Sequence, residues 1–381
     1  MTRLILTGGG TGGHIYPALA IADGIRRRWP QTEILYVGAS RGMESRVVPA
    51  AGYSFQGITA EGWQGRKIST LSSALKASYR GRQEALELLD RFKPRAVIGT
   101  GGYVCLPMAA AAAQRKIPVY IHEQNAFPGI ANRLISLWAK KIMVSFGEAA
   151  GRFPPNVRKR VTVTGLPVRA SITNAKKEEA LAFFHLKEGK KTILAIGGSQ
   201  GAQSINRAML HVIKTLYHRQ DVQVLLATGP RDYEQMAEEL KKADIAWSYE
   251  EGEKGGESNI RMLPYIDRMD LAYGAAQIFV GRAGASTLAE ITLCRLPALL
   301  IPYPYASENH QAHNAASLAG KGAAVVLEDQ KLKGPLLLRS LEEILNNENK
   351  RLAMANASGE AARGQALDDI LDIVKELMEE Q

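Results

Sequence analysis

The stretch Arg3-Leu4-Ile5-Leu6-Thr7-Gly8-Gly9-Gly10-Thr11-Gly12-Gly13-His14 decides the reading of the fold. An apolar, strand-like run meets a cluster of glycines and then a helical pattern. The helix is expected to open near Pro17, a residue tolerated in a first turn. Leu19, Ile21, Ala22 and Ile25 fall largely on one of its faces, and Trp29-Pro30 ends it. The second half repeats the pattern. A strand over 192–196 runs into Gly197-Gly198-Ser199-Gln200-Gly201, and a helix over 204–216 places Ile205, Met209, Val212 and Leu216 at helical spacing. A further strand, glycine turn and helix recurs in each half, at Ala96-Val97-Ile98-Gly99-Thr100-Gly101-Gly102 and at Ile278-Phe279-Val280-Gly281-Arg282-Ala283-Gly284. Alternating strands and helices predict parallel sheets covered on both faces, with ligands at the carboxyl ends of the strands. The expected fold is α/β, two Rossmann-like domains facing across a cleft, with the boundary near Gly165-Leu166-Pro167. The segment 1–165 forms the first domain and 166–357 the second. In the tail 358–381, a helix carries Leu367, Ile370, Leu371, Val374 and Leu377 on one side, and that side needs a surface to cover.

The bulk properties agree with two globular domains. The chain has 381 residues, of which 46% are hydrophobic and 23% charged. The net charge of +10 is unevenly spread. Residues 1–169 hold 24 Lys and Arg against 9 Asp and Glu, and residues 170–381 hold 24 against 29. A basic half joined to an acidic half points to phosphates, a polyanion or an anionic membrane met by the first half, or else to a plain solvated surface. Aromatics are not interleaved with the basic residues as stacking on nucleic acid requires, so no nucleic-acid partner is expected. Two isolated cysteines, Cys105 and Cys294, make neither a disulfide framework nor a zinc site and read as packed, reduced thiols. The apolar run at the start is too short for a signal peptide, and 97–113 is broken by Gly101-Gly102 and Pro107. Any membrane is therefore expected to be met from one side.

Four loops carry candidate chemistry. The Gly8–Gly13 loop lacks the lysine of a P-loop and fits the dinucleotide fingerprint poorly, yet backbone amides at a helix start suit an anion. His14 follows it directly, as a general base or as a packed imidazole. His122-Glu123-Gln124-Asn125 ends a strand, either to meet substrate or to form an Asx-type turn. Arg282 to Glu290 opens a helix in small residues. Ala285, Ser286, Thr287, Leu288 and Ala289 let a ligand lie against the backbone, and Glu290 is placed to accept from a ribose diol or to complement the helix dipole. Ser307-Glu308-Asn309-His310-Gln311, after a proline-rich loop, suits sugar hydroxyls.

Taken together, Gly9 to His14 with Pro17, Gly99-Thr100-Gly101-Gly102-Tyr103, His122 to Asn125, Gly165-Leu166-Pro167-Val168-Arg169, Gly197 to Ala202, Arg282 to Glu290, and Asn309-His310-Gln311 with Asn314-Ala315 resemble glycosyltransferase family 28. The likeness runs in order from about residue 3 to 320. In this family, enzymes of GT-B fold add N-acetylglucosamine to undecaprenyl-diphospho-muramoyl-pentapeptide (lipid I) to make lipid II. The resemblance implies UDP-N-acetylglucosamine as donor, lipid I as acceptor, and a peripheral position on the cytoplasmic face of the membrane. It implies that Ile266 offers its backbone to uracil, that Arg169 sits near the nucleotide, that Ser199 meets the diphosphate and Glu290 the ribose, and that Gln311 reads the sugar. Thr11, Gly12, Gly13 and Asn125 would close on the donor from the N-terminal side, and Gly101, Gly102, Tyr103 and Glu123 would face the acceptor. The family often shows two adjacent glutamines where this chain has His310-Gln311. His14 is the implied base of a single in-line displacement. No Asp-x-Asp cluster stands at a strand end, and neither a metal nor another cofactor is required by this reading.

Between 63 and 95 stand eight basic residues and three acids, and Leu71, Leu75 and Tyr79 recur at helical spacing. Such a helix can lie on anionic lipid or pack on its own core. Other readings of the chain are a GT-B glycosyltransferase with a different acceptor, a UDP-sugar epimerase, and a nucleotide-sugar sensor without turnover.

Overall fold

The computed structural model describes residues 2–62, 68–168, 170–173, 175–198, 200–248 and 258–379. The chain divides into two units. The first runs to Val168 and resumes at Arg363; the second spans Arg169–Ala362.

The first unit is built on seven strands: β1 (Arg3–Thr7), β2 (Glu33–Ala39), β3 (Ser54–Ile58), β4 (Ala96–Gly99), β5 (Val119–Glu123), β6 (Lys141–Val144) and β7 (Val161–Val163). They pair in the order β3-β2-β1-β4-β5-β6-β7, all parallel. β4 is buried at every residue, as a strand covered on both faces must be, so it reads as an unbroken apolar run. The second unit has six: β8 (Lys191–Ile196), β9 (Val222–Ala227), β10 (Ile260–Leu263), β11 (Ile278–Gly281), β12 (Ala298–Leu300) and β13 (Ala324–Val326). Their order is β10-β9-β8-β11-β12-β13, again parallel. In each sheet the strand order reverses once, between β1 and β4 and between β8 and β11. Loops that leave neighbouring strands in opposite directions open a crevice at such a point.

Two boundaries differ from the sequence reading. The first helix, Gly12–Arg28, opens five residues before Pro17, so the proline lies inside it. Proline has no N–H for the carbonyl of Gly13, and the small Gly13 accommodates the ring. The returning segment begins at Arg363 rather than at 358. A helix over Glu348–Ala361 belongs to the second unit and buries Met354 and Ser358 there. Gly165 to Val168 stay with the first unit, where Gly165 packs on Arg363 and Ala366.

The last helix, Ala366–Glu379, lays Ile370, Leu371, Val374 and Leu377 into a core shared with Ile15, Ala18, Ile21, Ala22 and Ile25 of the first helix. Gly24 permits the approach, since a Cβ there would stand 2.9 Å from Leu367. Arg28 pairs with Asp372 at 2.8 Å at the exposed edge. The apolar side is what holds this helix; an exposed pair contributes at most about 1 kcal/mol. Among the described residues no helix is long and apolar enough to cross a membrane. Cys105 is buried, Cys294 is half-buried, and both are free thiols.

Truncating Ile370, fully buried in this seam, to alanine is expected to cost about 2–4 kcal/mol by urea unfolding, against under about 0.5 kcal/mol for a change at a solvent-facing position such as Asp369.

Candidate active site

At the reversal in the first sheet, the loop after β1 and the loop after β4 touch through their backbones. Gly9 N–H donates to the Gly101 carbonyl at 3.3 Å. Gly101 (φ +104) and Gly102 (φ +85) lie in the left-handed region. A Cβ on Gly102 would stand 2.1 Å from the Gly9 oxygen, and one on Gly101 would stand 2.9 Å from His14 Nδ1. Only glycine fits both demands.

This contact seats His14. Thr100 Oγ1 donates to the His14 carbonyl at 2.7 Å. The ring's Nδ1 lies 3.0 Å from the Thr100 carbonyl oxygen and 2.9 Å from Gln124 Oε1. A carbonyl oxygen can only accept, so Nδ1 carries the proton and donates. In the neutral ring the lone pair is then on Nε2, the arrangement a general base needs.

Glu123 has a different role from the acceptor-facing one expected of it. It is 1% exposed. Its Oε1 accepts from Asn125 N and Nδ2 at 2.9 and 3.1 Å, and its Oε2 accepts from Gly129 N at 3.1 Å and Asn132 Nδ2 at 2.8 Å. Four donors hold the buried carboxylate, which ties the loop after β5 together and leaves it badly placed to take a proton from a substrate. Asn125 is bound into the same tie. His122 is fully buried, with Nε2 on the Gly165 carbonyl at 2.8 Å. Burial pushes its pKa down to about 4, and the carbonyl acts weakly in the opposite direction.

The sequence reading missed Glu44. It is fully buried behind the glycine loop, accepting from Ala39 N at 2.9 Å and Gly10 N at 3.2 Å. Glycines 9, 38 and 42 make room for it, each so close that a Cβ would overlap the side chain. Three glycines around one acid were the available signal. The loop's amides at Gly9 and Gly10 are thus engaged within the protein, and a carboxylate stands where an anion would otherwise lie, so this part of the loop is no phosphate cradle. Thr11 and Gly13 are exposed and Gly12 is half-buried at the helix start. Tyr103 packs against Gly10, and burial, reinforced by the Glu44 charge, holds its hydroxyl above the usual range and therefore protonated.

The second unit has a cavity at its own strand-order reversal, with about 670 Å³ of empty space including its mouth. Ile196, Ala227 and Phe279 form apolar wall at the strand ends, Ile266 stands on the turn after β10, and Thr287 and Glu290 come from the helix Ala285–Leu293. Tyr273 donates to Glu290 Oε2 at 2.8 Å and so orients the carboxylate. The shape, an apolar slot with one oriented acid at its rim, suits a flat ring joined to a diol. Arg282 also lines the cavity, but its guanidinium is engaged by Asp329 at 2.5 Å, the Ile301 carbonyl at 3.0 Å and Ser204 Oγ at 3.2 Å.

Of the residues singled out for the donor, the cavity gathers Ile266, Thr287 and Glu290. Ala285 and Ser286 stand half-buried in the first turn of the same helix, as does Ala289 further along. Leu288, 1% exposed, belongs to the interior and offers a ligand no side chain. Arg169 and Ser199 lie outside the described residues. Gln311 Oε1 accepts from Ala283 N at 3.2 Å and Tyr303 N at 3.0 Å, so a ligand would meet the Nε2 donors of this side chain. Among the described residues no group of three or more His, Cys, Asp or Glu side chains could hold a metal ion.

Two parallel α/β units, each with its polar loops at a strand-order reversal and the second with an apolar cavity there, belong to the GT-B class of glycosyltransferases. The glycosyltransferase family 28 N-terminal domain matches residues 4–144, and the family 28 C-terminal domain matches 192–371. The chain belongs to glycosyltransferase family 28. It is 47% identical over 380 residues, all of both chains, to the UDP-N-acetylglucosamine–N-acetylmuramyl-(pentapeptide) pyrophosphoryl-undecaprenol N-acetylglucosamine transferase of Desulforamulus reducens. It is 44% identical, over 98% of each chain, to the transferase of that name from Desulforudis audaxviator. The crystal structure of Acinetobacter baumannii MurG superposes with a TM-score of 0.78 at 25% identity, covering 99% of this chain and 100% of that one.

Two outcomes follow from this geometry. The unfolded chain protonates His122 near its ordinary 6.5, while the folded site holds it neutral down to about 4. Stability should therefore fall as pH drops through that window, by up to about 3 kcal/mol from this group, and His122→Gln should lose less over the same urea titrations. Gln311→Met leaves two amides without their acceptor and should destabilise by about 1–3 kcal/mol, whereas Gln311→Glu, which still accepts, should unfold close to wild type.

Proposed function

We propose that this chain transfers N-acetylglucosamine from UDP-N-acetylglucosamine, with inversion, to the C4 hydroxyl of the N-acetylmuramoyl residue of lipid I, giving lipid II and UDP in peptidoglycan synthesis. Its full-length relatives carry that activity in their names. The observation that carries the chemistry is His14, whose Nδ1–H is held by two carbonyl oxygens so that Nε2 presents a lone pair.

In the proposed reaction His14 Nε2 takes the C4 hydroxyl proton as the oxygen attacks the anomeric carbon from the face opposite UDP. The C1–O bond to the diphosphate breaks with its electron pair, the α-linked donor becomes a β-linked product, and the imidazolium returns its proton to solvent. The uracil lies in the slot beside Ile266, with the ribose hydroxyls on Glu290. The departing diphosphate is met by backbone dipoles at the start of the Ala285–Leu293 helix, with Ser199 and Arg169 as further contacts. Gln311 donates to the sugar through Nε2, and Thr11, Gly12, Gly13 and Asn125 are further donor contacts in this reading. Gly101, Gly102 and Tyr103 shape the acceptor side. The reading calls for no cofactor beyond the donor itself.

The lipid tail of the acceptor places the enzyme at the cytoplasmic face of the membrane as a peripheral protein. The excess of basic residues in the first half supports this. In the helix Ile68–Phe92, Tyr79 is 64% exposed, while Ala85, Leu86, Leu88 and Leu89 pack on the unit's own core. Trp63 to Lys67 and the side chains of Leu71 and Leu75 lie outside the described residues. A second exposed apolar group, Ile130, Leu134, Leu137 and Trp138, stands near Lys140 and Lys141 in the chain and extends the lipid-facing reading beyond 63–95.

Radiolabelled UDP-N-acetylglucosamine and a lipid I analogue test the proposal. Label should enter the lipid fraction, and His14→Ala should lower kcat by about 10²–10⁴-fold with UDP binding retained. Undiminished turnover in the variant removes His14 as base. Donor binding without transfer by the wild type rejects the acceptor.

A further inference from the structure

Behind His14 the hydrogen bonds continue in one direction only. Gln124 Nε2 lies 2.9 Å from the His122 carbonyl oxygen, an obligate acceptor, so the amide nitrogen faces His122 and the amide oxygen faces His14. His122 Nε2 lies 2.8 Å from the Gly165 carbonyl, so it carries the ring's proton and Nδ1 is left to accept. That Nδ1 is 3.1 Å from Gln124 Nε2, which donates to it. Starting from a backbone carbonyl, every donor and acceptor in the row is determined: His122 Nε2–H to Gly165 O, Gln124 Nε2–H to His122 Nδ1, His14 Nδ1–H to Gln124 Oε1.

We infer that Gln124 and His122 are positioning residues of the transfer reaction, forming with the Gly165 carbonyl a polarised relay that fixes the tautomer of His14 and the direction of its Nδ1–H. Gln124 is 2% exposed and His122 fully buried, so no solvent molecule is needed to satisfy the row and none competes with it. Burial keeps His122 neutral near pH 7, with its pKa down at about 4, so the relay keeps one polarity throughout the working range. The Thr100 carbonyl accepts from the same Nδ1–H and reinforces the same tautomer. Two acceptors at 2.9 and 3.0 Å on one N–H fix its direction more tightly than a single bond does. The relay begins at Gly165, just after the last strand of the first unit, so the base is tied through β5 to the segment that leaves the sheet.

The inference rests on the reading of His14 as base, and the test separates the two. Full-length protein labelled with ¹⁵N-histidine reports each ring nitrogen as pyrrole-type or pyridine-type. In the wild type, His14 should show a pyrrole-type Nδ1 and pyridine-type Nε2, and His122 the reverse. Gln124→Met removes both bonds: His14 should move toward mixed tautomers, and kcat should fall by about tenfold or more with donor KM unchanged, since a misassigned imidazole proton is costly to a general base. Gln124→Glu still accepts from His14 but cannot donate to His122, so His14 should keep its tautomer while the His122 resonances change. Should the Met variant fail to fold, Gln124→Ala, which removes both bonds with a smaller side chain, takes its place with the same expected change in the His14 tautomer. Unchanged ring shifts in the variants that fold would overturn the relay and leave His14 as a base held by Thr100 alone. Wild-type turnover in His14→Ala would remove the base, whatever the ring shifts show.

Discussion

Two backbones in the first unit approach more closely than any side chain allows. The loop after β1 lies on the loop after β4 with Gly9 N–H on the Gly101 carbonyl and Gly102 against the Gly9 oxygen. Because the loops touch, the Thr100 carbonyl reaches His14 Nδ1 and the Thr100 hydroxyl reaches the His14 carbonyl. A methyl group in this contact would part the strand ends and move the imidazole away from its acceptors. The glycines are therefore what brings a base to a strand-order reversal, where a parallel sheet offers its crevice.

Acidic side chains brace the loops in each unit. Glu44 holds the glycine loop from behind, Glu123 gathers four donors to close the loop after β5, and in the second unit Asp329 holds Arg282 beside the cavity. Each accepts from more than one donor, as a polar group drawn in from water must. None of the three is free to act on a ligand as a bare charge. The bracing in the first unit lets His14 present its Nε2 in a defined direction.

Much of this was legible in the residues. The unbroken apolar runs before glycines announced parallel strands, their repetition announced two units, and the loops they feed proved to be the loops at both reversals. Ile266, Thr287 and Glu290 line one cavity. The roles of acids were harder to read. Glu123 looked like a substrate contact because four polar residues end a strand, yet its neighbours in sequence, Asn125 and Gly129, turn back onto it. Glu44 was passed over because its partners, Ala39 and Gly10, are backbone amides and leave no mark in side-chain chemistry. Leu288 fell among small residues at a helix start and was counted with them, although helical spacing turns it inward.

The sequence by itself determined the fold class, the number of units and the strand ends at which chemistry would stand, because these follow from local periodicity, from where glycine interrupts it, and from motifs carried in order along the chain. The tertiary structure alone decided which nitrogen of His14 holds the proton, which carboxylates are engaged and which end of the Gln311 amide is held by backbone donors. Those depend on carbonyl oxygens and amides far off in the chain, 86 residues away for Thr100 and His14, and a backbone atom has no letter in the sequence.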